Sequence, residues 1–314
     1  MELHILDTSN YLYAGSYNNF WVGRGVRESD GQYQANEAPM GGVRFLLSQA
    51  QKFCSSNSIV MPVFDRAPTI KRKMYFDAFG DEYGYKGTRD KSDDKKLEIE
   101  NAKWYAEAIM SNMGFQTQSA EGYEADDIIY SLVLYYRDDF EKIYIHTRDS
   151  DLTFLVSDNV EIAKVGDKGK CIDLRSYPEL ARTGEYTWYN TLNFIKLYYG
   201  DKSDNIPGVG KEWVDRVDSV IPAADYPKLG DLDLARKYLR EVMSKYPTAP
   251  NSHKLIEVFN ILSPLKVPYE LLNDEEPDVD YRKLNDYYLQ NWNRDNDQWG
   301  LEDLLSEYID KFYE

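Results

Sequence analysis

Three short apolar runs, at residues 2–6, 59–64 and 142–146, each lead into aspartate within a few residues. The acids are Asp7, Asp65, and the pair Asp149 and Asp151. Stretches of helical period lie between them, such as residues 42–53 with Val43, Leu46, Leu47 and Ala50 on one face. Strands alternating with helices predict βαβ units, hence an α/β fold with a central, mainly parallel sheet flanked by helices. Ligands of such sheets sit beyond the carboxyl ends of the strands. Four aspartates are therefore expected along one edge. A single strand-terminal Asp is ordinary turn chemistry, but three strands ending this way form a pattern.

A second acidic group belongs with it. In Glu121-Gly-Tyr-Glu-Ala-Asp-Asp-Ile-Ile-Tyr-Ser-Leu132, the acids Glu124, Asp126 and Asp127 head an apolar-periodic run through Ile128, Ile129, Leu132, Val133 and Tyr136. The spacing predicts an amphipathic helix over 124–136. The helix dipole favours acids in a first turn. It does not explain three carboxylates within four residues and no Lys or Arg nearby in sequence, because their charges repel. A divalent cation among them answers that repulsion.

Hard divalent ions take oxygen ligands, and Mg²⁺ keeps several waters. The chain offers acids for this and little else. Cys54 and Cys171 form no metal or disulfide pattern, and His4, His146 and His253 have no zinc spacing. His4 and His146 fall inside predicted strands and read as packed histidines. The net charge of −17 over 314 residues runs against the usual basic footprint of a nucleic-acid binder. A site built of carboxylates contributes to that figure, however, and bound cations neutralise it in use. Positive charge gathers between Arg66 and Lys96, and the segment after Val267 is strongly acidic. No run reaches membrane-span length, and the N-terminus has no signal-peptide pattern, so a cytoplasmic protein is expected.

Residues 15–39 show no clear period and read as a loop or insertion. Residues 66–103 interleave Arg66, Lys71, Arg72, Lys73, Tyr75, Phe76, Phe79, Tyr83, Tyr85, Lys86 and Arg89. Basic and aromatic residues mixed in this way suit a phosphate backbone with stacked bases, and equally a solvated helical excursion. Short strands are expected at 160–165 and 170–174, and a helix at 191–199. Next comes Gly200-Asp-Lys-Ser-Asp-Asn-Ile-Pro-Gly-Val-Gly-Lys211, with Asp201 and Asp204 one turn apart. Gly208 and Gly210 there could bring backbone N–H groups to a phosphate beside Lys211. The chain from Asp231 reads as mostly helical, broken near 247–250 and 264–268.

These residues resemble the flap endonuclease and 5′-3′ exonuclease family, which includes phage flap endonucleases, phage RNase H and the 5′ nuclease domain of bacterial DNA polymerase I. The matching pieces are Leu6-Asp7, Phe64-Asp65-Arg66, Tyr85-Lys86-Gly-Thr-Arg89, Glu124-Ala-Asp126-Asp127, Asp149-Ser-Asp151 and Gly200-Asp201-Lys-Ser-Asp204-Asn-Ile-Pro-Gly. They occur in the family's order over residues 1–215. The resemblance implies a PIN-like nuclease core over 1–190 with a helical arch at 66–105. It further implies a helical region over 191–314, carrying a helix-hairpin-helix-like segment and an acidic tail.

By position, Asp7, Asp65, Glu124 and Asp126 resemble ligands of a first divalent ion, and Asp149, Asp151, Asp201 and Asp204 those of a second. Asp127 resembles a supporting acid. Lys86 and Arg89 look like the pair that contacts the scissile phosphate, and Arg66, Lys71, Arg72, Tyr85, Gly208, Gly210 and Lys211 like nucleic-acid contacts. The implied cofactor is two Mg²⁺, with Mn²⁺ as a substitute. The implied substrates are DNA with 5′ ends or flaps and RNA–DNA hybrids, handled by a monomer of phage type in replication. One departure stands out, since Pro207-Gly208-Val209-Gly210-Lys211 is about three residues shorter than the family's hairpin. Two other readings compete. A metal-dependent phosphatase would want Asp-x-Asp after the first strand, which Asp7-Thr-Ser lacks. A binding-only relative gains nothing from concentrated negative charge near phosphates.

Overall fold

The computed structural model describes residues 1–16, 24–29, 32–37, 40–81, 84–87, 94–164, 171–172 and 187–273. Its centre is a five-stranded sheet made of β1 (Glu2–Asp7), β4 (Ser58–Val63), β5 (Lys142–Thr147), β6 (Val160–Lys164) and β7 (Cys171–Ile172), in the order β4-β1-β5-β6-β7. The first four are mutually parallel and β7 is antiparallel to β6. All five sequence-expected strands are therefore present, the last described over Cys171–Ile172, with β1 between β4 and β5. Residues 24–37, read as loop, instead contain an antiparallel pair, β2 (Arg24–Ser29) and β3 (Gln32–Glu37). Their mixed polarity hid the alternation, because a two-stranded ribbon outside the main sheet needs no apolar face.

Strand alternation divides the apolar residues between two cores. Leu3 and Ile5 of β1, with Met61 and Val63 of β4, face one core; Leu6, Val60 and Phe64 face the other. The second core is closed by α1 (Thr8–Ser16), α2 (Met40–Phe53) and α4 (Asp94–Asn112). The first is built on α5 (Ala125–Tyr136), in which Ala125 and every residue from Asp127 to Val133 is buried. Helices α3 (Thr69–Phe79), α6 (Thr187–Tyr199), α7 (Val214–Asp218), α8 (Leu232–Lys245) and α9 (Leu255–Leu262) follow in chain order. Phe194, Leu239 and Phe259 from these helices join the core that holds Leu3 and Ile5. The acidic stretch beyond residue 273 lies outside the described residues.

Two connections set the position of the site. Phe64 donates its N–H to the Gln118 carbonyl and Gln118 donates to Pro62, so the chain at 117–119 runs beside the end of β4. This delivers Glu124 and α5 to the carboxyl edge of the sheet. Downstream, the segment at 265–273 straps α5 in place. Leu265 N–H reaches Asp127 (2.7 Å), Val267 N–H reaches Ser131 (2.7 Å) and Tyr135 donates to the Val267 carbonyl (2.9 Å).

Candidate nuclease site

The acids meet where the strands end. Asp7 closes β1, Asp65 stands two residues past β4, and Asp149 caps the 3₁₀ turn Ser150–Leu155 after β5, accepting from the Asp151 N–H at 2.9 Å. Glu124 is the N-cap of α5. Its side chain and that of Asp127 form a reciprocal capping box, in which Asp127 accepts from the Glu124 N–H at 3.0 Å. Asp65 accepts the Ala125 N–H (2.8 Å) and the Ser9 hydroxyl (2.5 Å). Thr147 donates to Asp7 at 2.8 Å, and Asn10 bonds both Asp7 and the Arg148 N–H (3.2 Å). Residues 8–10, expected as a polar turn, form the first turn of α1, which thus stitches three strand ends together.

Crowding shows in the protonation of these acids. Burial, then Asp65 and Asp149, push the Asp7 carboxyl up to about 7. Asp126 is pushed well above the carboxylate range by burial, then by Asp149 and Asp7. Like charges this close favour a cation between them.

Lysines from distant parts of the chain serve the outer acids, although none lies near Glu124 in sequence. Lys86 ion-pairs with Glu124 and stands 3.7 Å from Asp204. Lys71 bridges Glu124 (3.3 Å) and Asp127 (3.0 Å), Lys103 pairs with Asp65 (3.3 Å), and Lys196 joins Asp151 (2.5 Å) to Asp201 (2.7 Å). Burial works against ionisation of Glu124, but Lys71 and Lys86 outweigh it and hold its carboxyl low. Lys196 and Ser203 likewise hold Asp201 down to about 2 against its burial. Neither Lys103, in the middle of α4, nor Lys196, in the last turn of α6, is marked by the sequence as a partner of these acids.

Lys86 is carried to the acids by an interlocked pair of turns. Its N–H donates to the Asp204 carbonyl (2.9 Å), and the Asn205 amide donates to the Gly84 carbonyl (2.9 Å). Lys86 and Asn205 both adopt left-handed backbone, with φ of 55° and 59°. Tyr75 closes the arrangement by donating to the Asn205 carbonyl at 2.8 Å. Arg89 lies outside the described residues.

Several expected nucleic-acid contacts are placed otherwise. Lys71 is 5% exposed and is held between carboxylates, not presented to solvent. Tyr85 is 3% exposed, with its hydroxyl donated to Glu124 at 2.6 Å, so it cannot stack on a base. Arg66 turns to Glu107 (2.6 Å) and Ser119 (2.7 Å), which links α4 to the β4 loop. The shortened glycine turn packs inward. Val209 and Gly210 donate their N–H groups to the Leu197 and Tyr198 carbonyls at the end of α6. A Cβ at Gly208 would lie 2.3 Å from the Tyr198 carbonyl oxygen, so close approach of two backbones requires this glycine. Arg72 and Lys211 are exposed.

Asp127 is likewise engaged by the protein. It is 1% exposed, and its two oxygens take Lys71, the Leu265 N–H and the Glu124 N–H. It supports the site from within.

Among the described residues, no three acidic, cysteine or histidine side chains stand arranged to hold a metal ion as placed. The donor chemistry nevertheless fits a hard divalent cation. Every candidate ligand is a carboxylate, and Asp7 and Asp126 carry the raised affinity for positive charge expected of crowded acids.

Residues 2–179 match the family model described as 5′-3′ exonuclease, N-terminal resolvase-like domain. The chain belongs to the 5′-3′ exonuclease family. Family relatives include a 5′-3′ exonuclease of Buchnera aphidicola subsp. Schizaphis graminum, 29% identical over 66% of this chain and 65% of its own length. Another, from Aquifex aeolicus, is 27% identical over 90% of this chain and 89% of the relative. Among solved structures, the bacteriophage T5 D15 flap endonuclease in complex with DNA and metal ions is similar in fold. It has a TM-score of 0.53 and 16% identity, covering 99% of this chain and 98% of that one. The exonuclease fold thus accounts for the parallel sheet and its acid-bearing edge. No described helix is long and apolar enough to cross a membrane.

Proposed function

We propose that this chain is a structure-specific 5′ nuclease that hydrolyses phosphodiester bonds at the 5′ ends and flaps of DNA, including RNA–DNA hybrids, with two Mg²⁺ as cofactors. The observation that carries the reading is the convergence of Asp7, Asp65, Glu124, Asp126 and Asp149 on one sheet edge, with Lys86 set beside them. Family membership supports the same reaction class. Asp7, Asp65, Glu124 and Asp126 would hold one ion, and Asp149, Asp151, Asp201 and Asp204 the other. Bound there, divalent ions supply charge that activates water and stabilises the leaving oxygen.

The chain's own residues do the rest. Ser9, Asn10 and Thr147 fix the strand-end acids, and Tyr85 fixes Glu124. The Lys86 ammonium, held by its turn beside Glu124 and Asp204, would meet charge developing on the reacting phosphate. Exposed Arg72 and Lys211 are suited to the backbone away from the cut. In this reading residues 1–190 form the nuclease core and residues 191–314 the helical, duplex-facing part. The test is a 5′-flap duplex labelled at its 5′ end, incubated with Mg²⁺ with and without chelator. Release of short 5′ products only in the uncomplexed metal supports the proposal. Cleavage that survives chelation, or that starts from 3′ ends, overturns it.

A further inference from the structure

Lys71 looks like a nucleic-acid contact in sequence, lying in a basic stretch with Arg72 and Lys73. The fold separates it from both neighbours. Arg72, Lys73 and Phe76 are on the exposed side of α3, whereas Lys71 and Tyr75, one turn apart, are buried. The start of α3 is tied under the start of α5, because Arg66 N–H donates to the Tyr123 carbonyl and Ile70 N–H to the Gly122 carbonyl. The Lys71 ammonium therefore ends within 3.3 Å of a Glu124 oxygen and 3.0 Å of an Asp127 oxygen.

We propose that Lys71 is a positioning residue, which aims the Glu124 carboxylate at the reacting centre by holding it against the Asp127 brace. The proposal rests on the nuclease reading above and adds to it how Glu124 is aimed. Each remaining element has a fixed partner. Asp127 is anchored on the far side by the Leu265 N–H at 2.7 Å and by the Glu124 N–H at 3.0 Å. Lys86 meets one Glu124 oxygen, and Tyr85 donates to the other, the oxygen that Lys71 also approaches. Lys71 is thus the cation that ties the Glu124 side chain to Asp127, and it connects the strap at 265–267 to the site through one carboxylate. Swinging it out to a phosphate would take the cation from buried Asp127 and leave Glu124 with Lys86 alone, a cost that buried charges resist.

The test uses the full chain with two variants, Lys71→Met and Lys71→Met/Asp127→Asn, the second keeping the buried charge balanced should the first unfold. Flap affinity is measured in chelator across a salt series, and single-turnover cleavage in Mg²⁺. A positioning role predicts an unchanged slope of log Kd against log salt and an affinity within about twofold, because no phosphate contact is removed. It predicts a cleavage rate constant lowered roughly 10–100-fold, the range seen when partners of ligating groups are lost. A slope shallower by about one with the rate constant retained would make Lys71 an ordinary phosphate contact and overturn the proposal. Cleavage at the unaltered rate by the double variant would overturn it too. Failure of the unaltered chain to cut would count against the nuclease reading instead, and the salt slope decides the role of Lys71 without any cleavage.

Discussion

Beneath the acid edge, β1 and β5 are joined by a pair of buried histidines whose protonation sets an acid limit on the fold. His4 Nδ1 and His146 Nε2 are 3.0 Å apart, and His146 also packs on Phe53 with ring centroids 4.2 Å apart. One ring nitrogen donates and the other accepts, so the contact needs the accepting imidazole neutral, and burial favours the neutral form of both rings. Burial, and then the His4 ring, push His146 down to about 3. A histidine held below its unfolded pKa of about 6.5 contributes stability that is fully present above 6.5 and is lost as pH falls toward 3. Integrated from pH 7 to pH 5, the loss is about 2 kcal/mol, at ~1.4 kcal/mol per pH unit once the unfolded imidazole is charged. The perturbation is His146→Phe, which keeps an aromatic ring in the stack and removes the titration. Urea unfolding of both proteins at pH 7 and pH 5 reads the effect, and the difference between them cancels the titration of the site acids. Wild type should lose about 2 kcal/mol more than the variant over that interval. Parallel losses, within about 0.5 kcal/mol, would refute the neutral buried pair.

Other consequences concern the site. In metal-free protein, Asp126→Asn should leave the thermal midpoint unchanged or raise it, because Asp149 and Asp7 already oppose ionisation there; a clear drop by calorimetry would contradict an acid strained by its neighbours. Lys86→Ala should lower kcat by about 100-fold with little change in KM, as for a donor aimed at developing charge; a raised KM at constant kcat would mark an ordinary backbone contact. Duplex anchoring should be indifferent to the monovalent ion, since the Val209 and Gly210 N–H groups are tied to α6 and Lys211 is the exposed cation of that turn. Equal single-turnover rates in K⁺ and Na⁺ at one ionic strength would agree, and a selective loss without K⁺ would not.

The acids were legible because two simple periods locate them. Asp7, Asp65 and Asp149 follow strands of buried apolar residues, and Glu124 precedes a helix whose spacing is unambiguous. What period cannot give is the partner of each charge. Lys71, Arg72 and Lys73 are equivalent in sequence, and only the tie between the starts of α3 and α5 decides that Lys71 turns inward. Gly208 and Gly210 read as a phosphate turn for a similar reason. Their glycines are required, but by the close approach of the α6 end. The antiparallel pair at 24–29 and 32–37 is not legible because its mixed polar and charged residues mask the period of a strand.

The proposed function rests first on the acids of the sheet edge, with Lys86 acting beside them. Its most direct test is single-turnover cleavage of a 5′-flap duplex in Mg²⁺ by the unaltered chain and by Asp149→Asn, with flap affinity measured in parallel. Flap affinity should stay within about twofold and the cleavage rate should fall by at least about 100-fold. Cleavage by the Asn variant within about tenfold of the unaltered rate would contradict it.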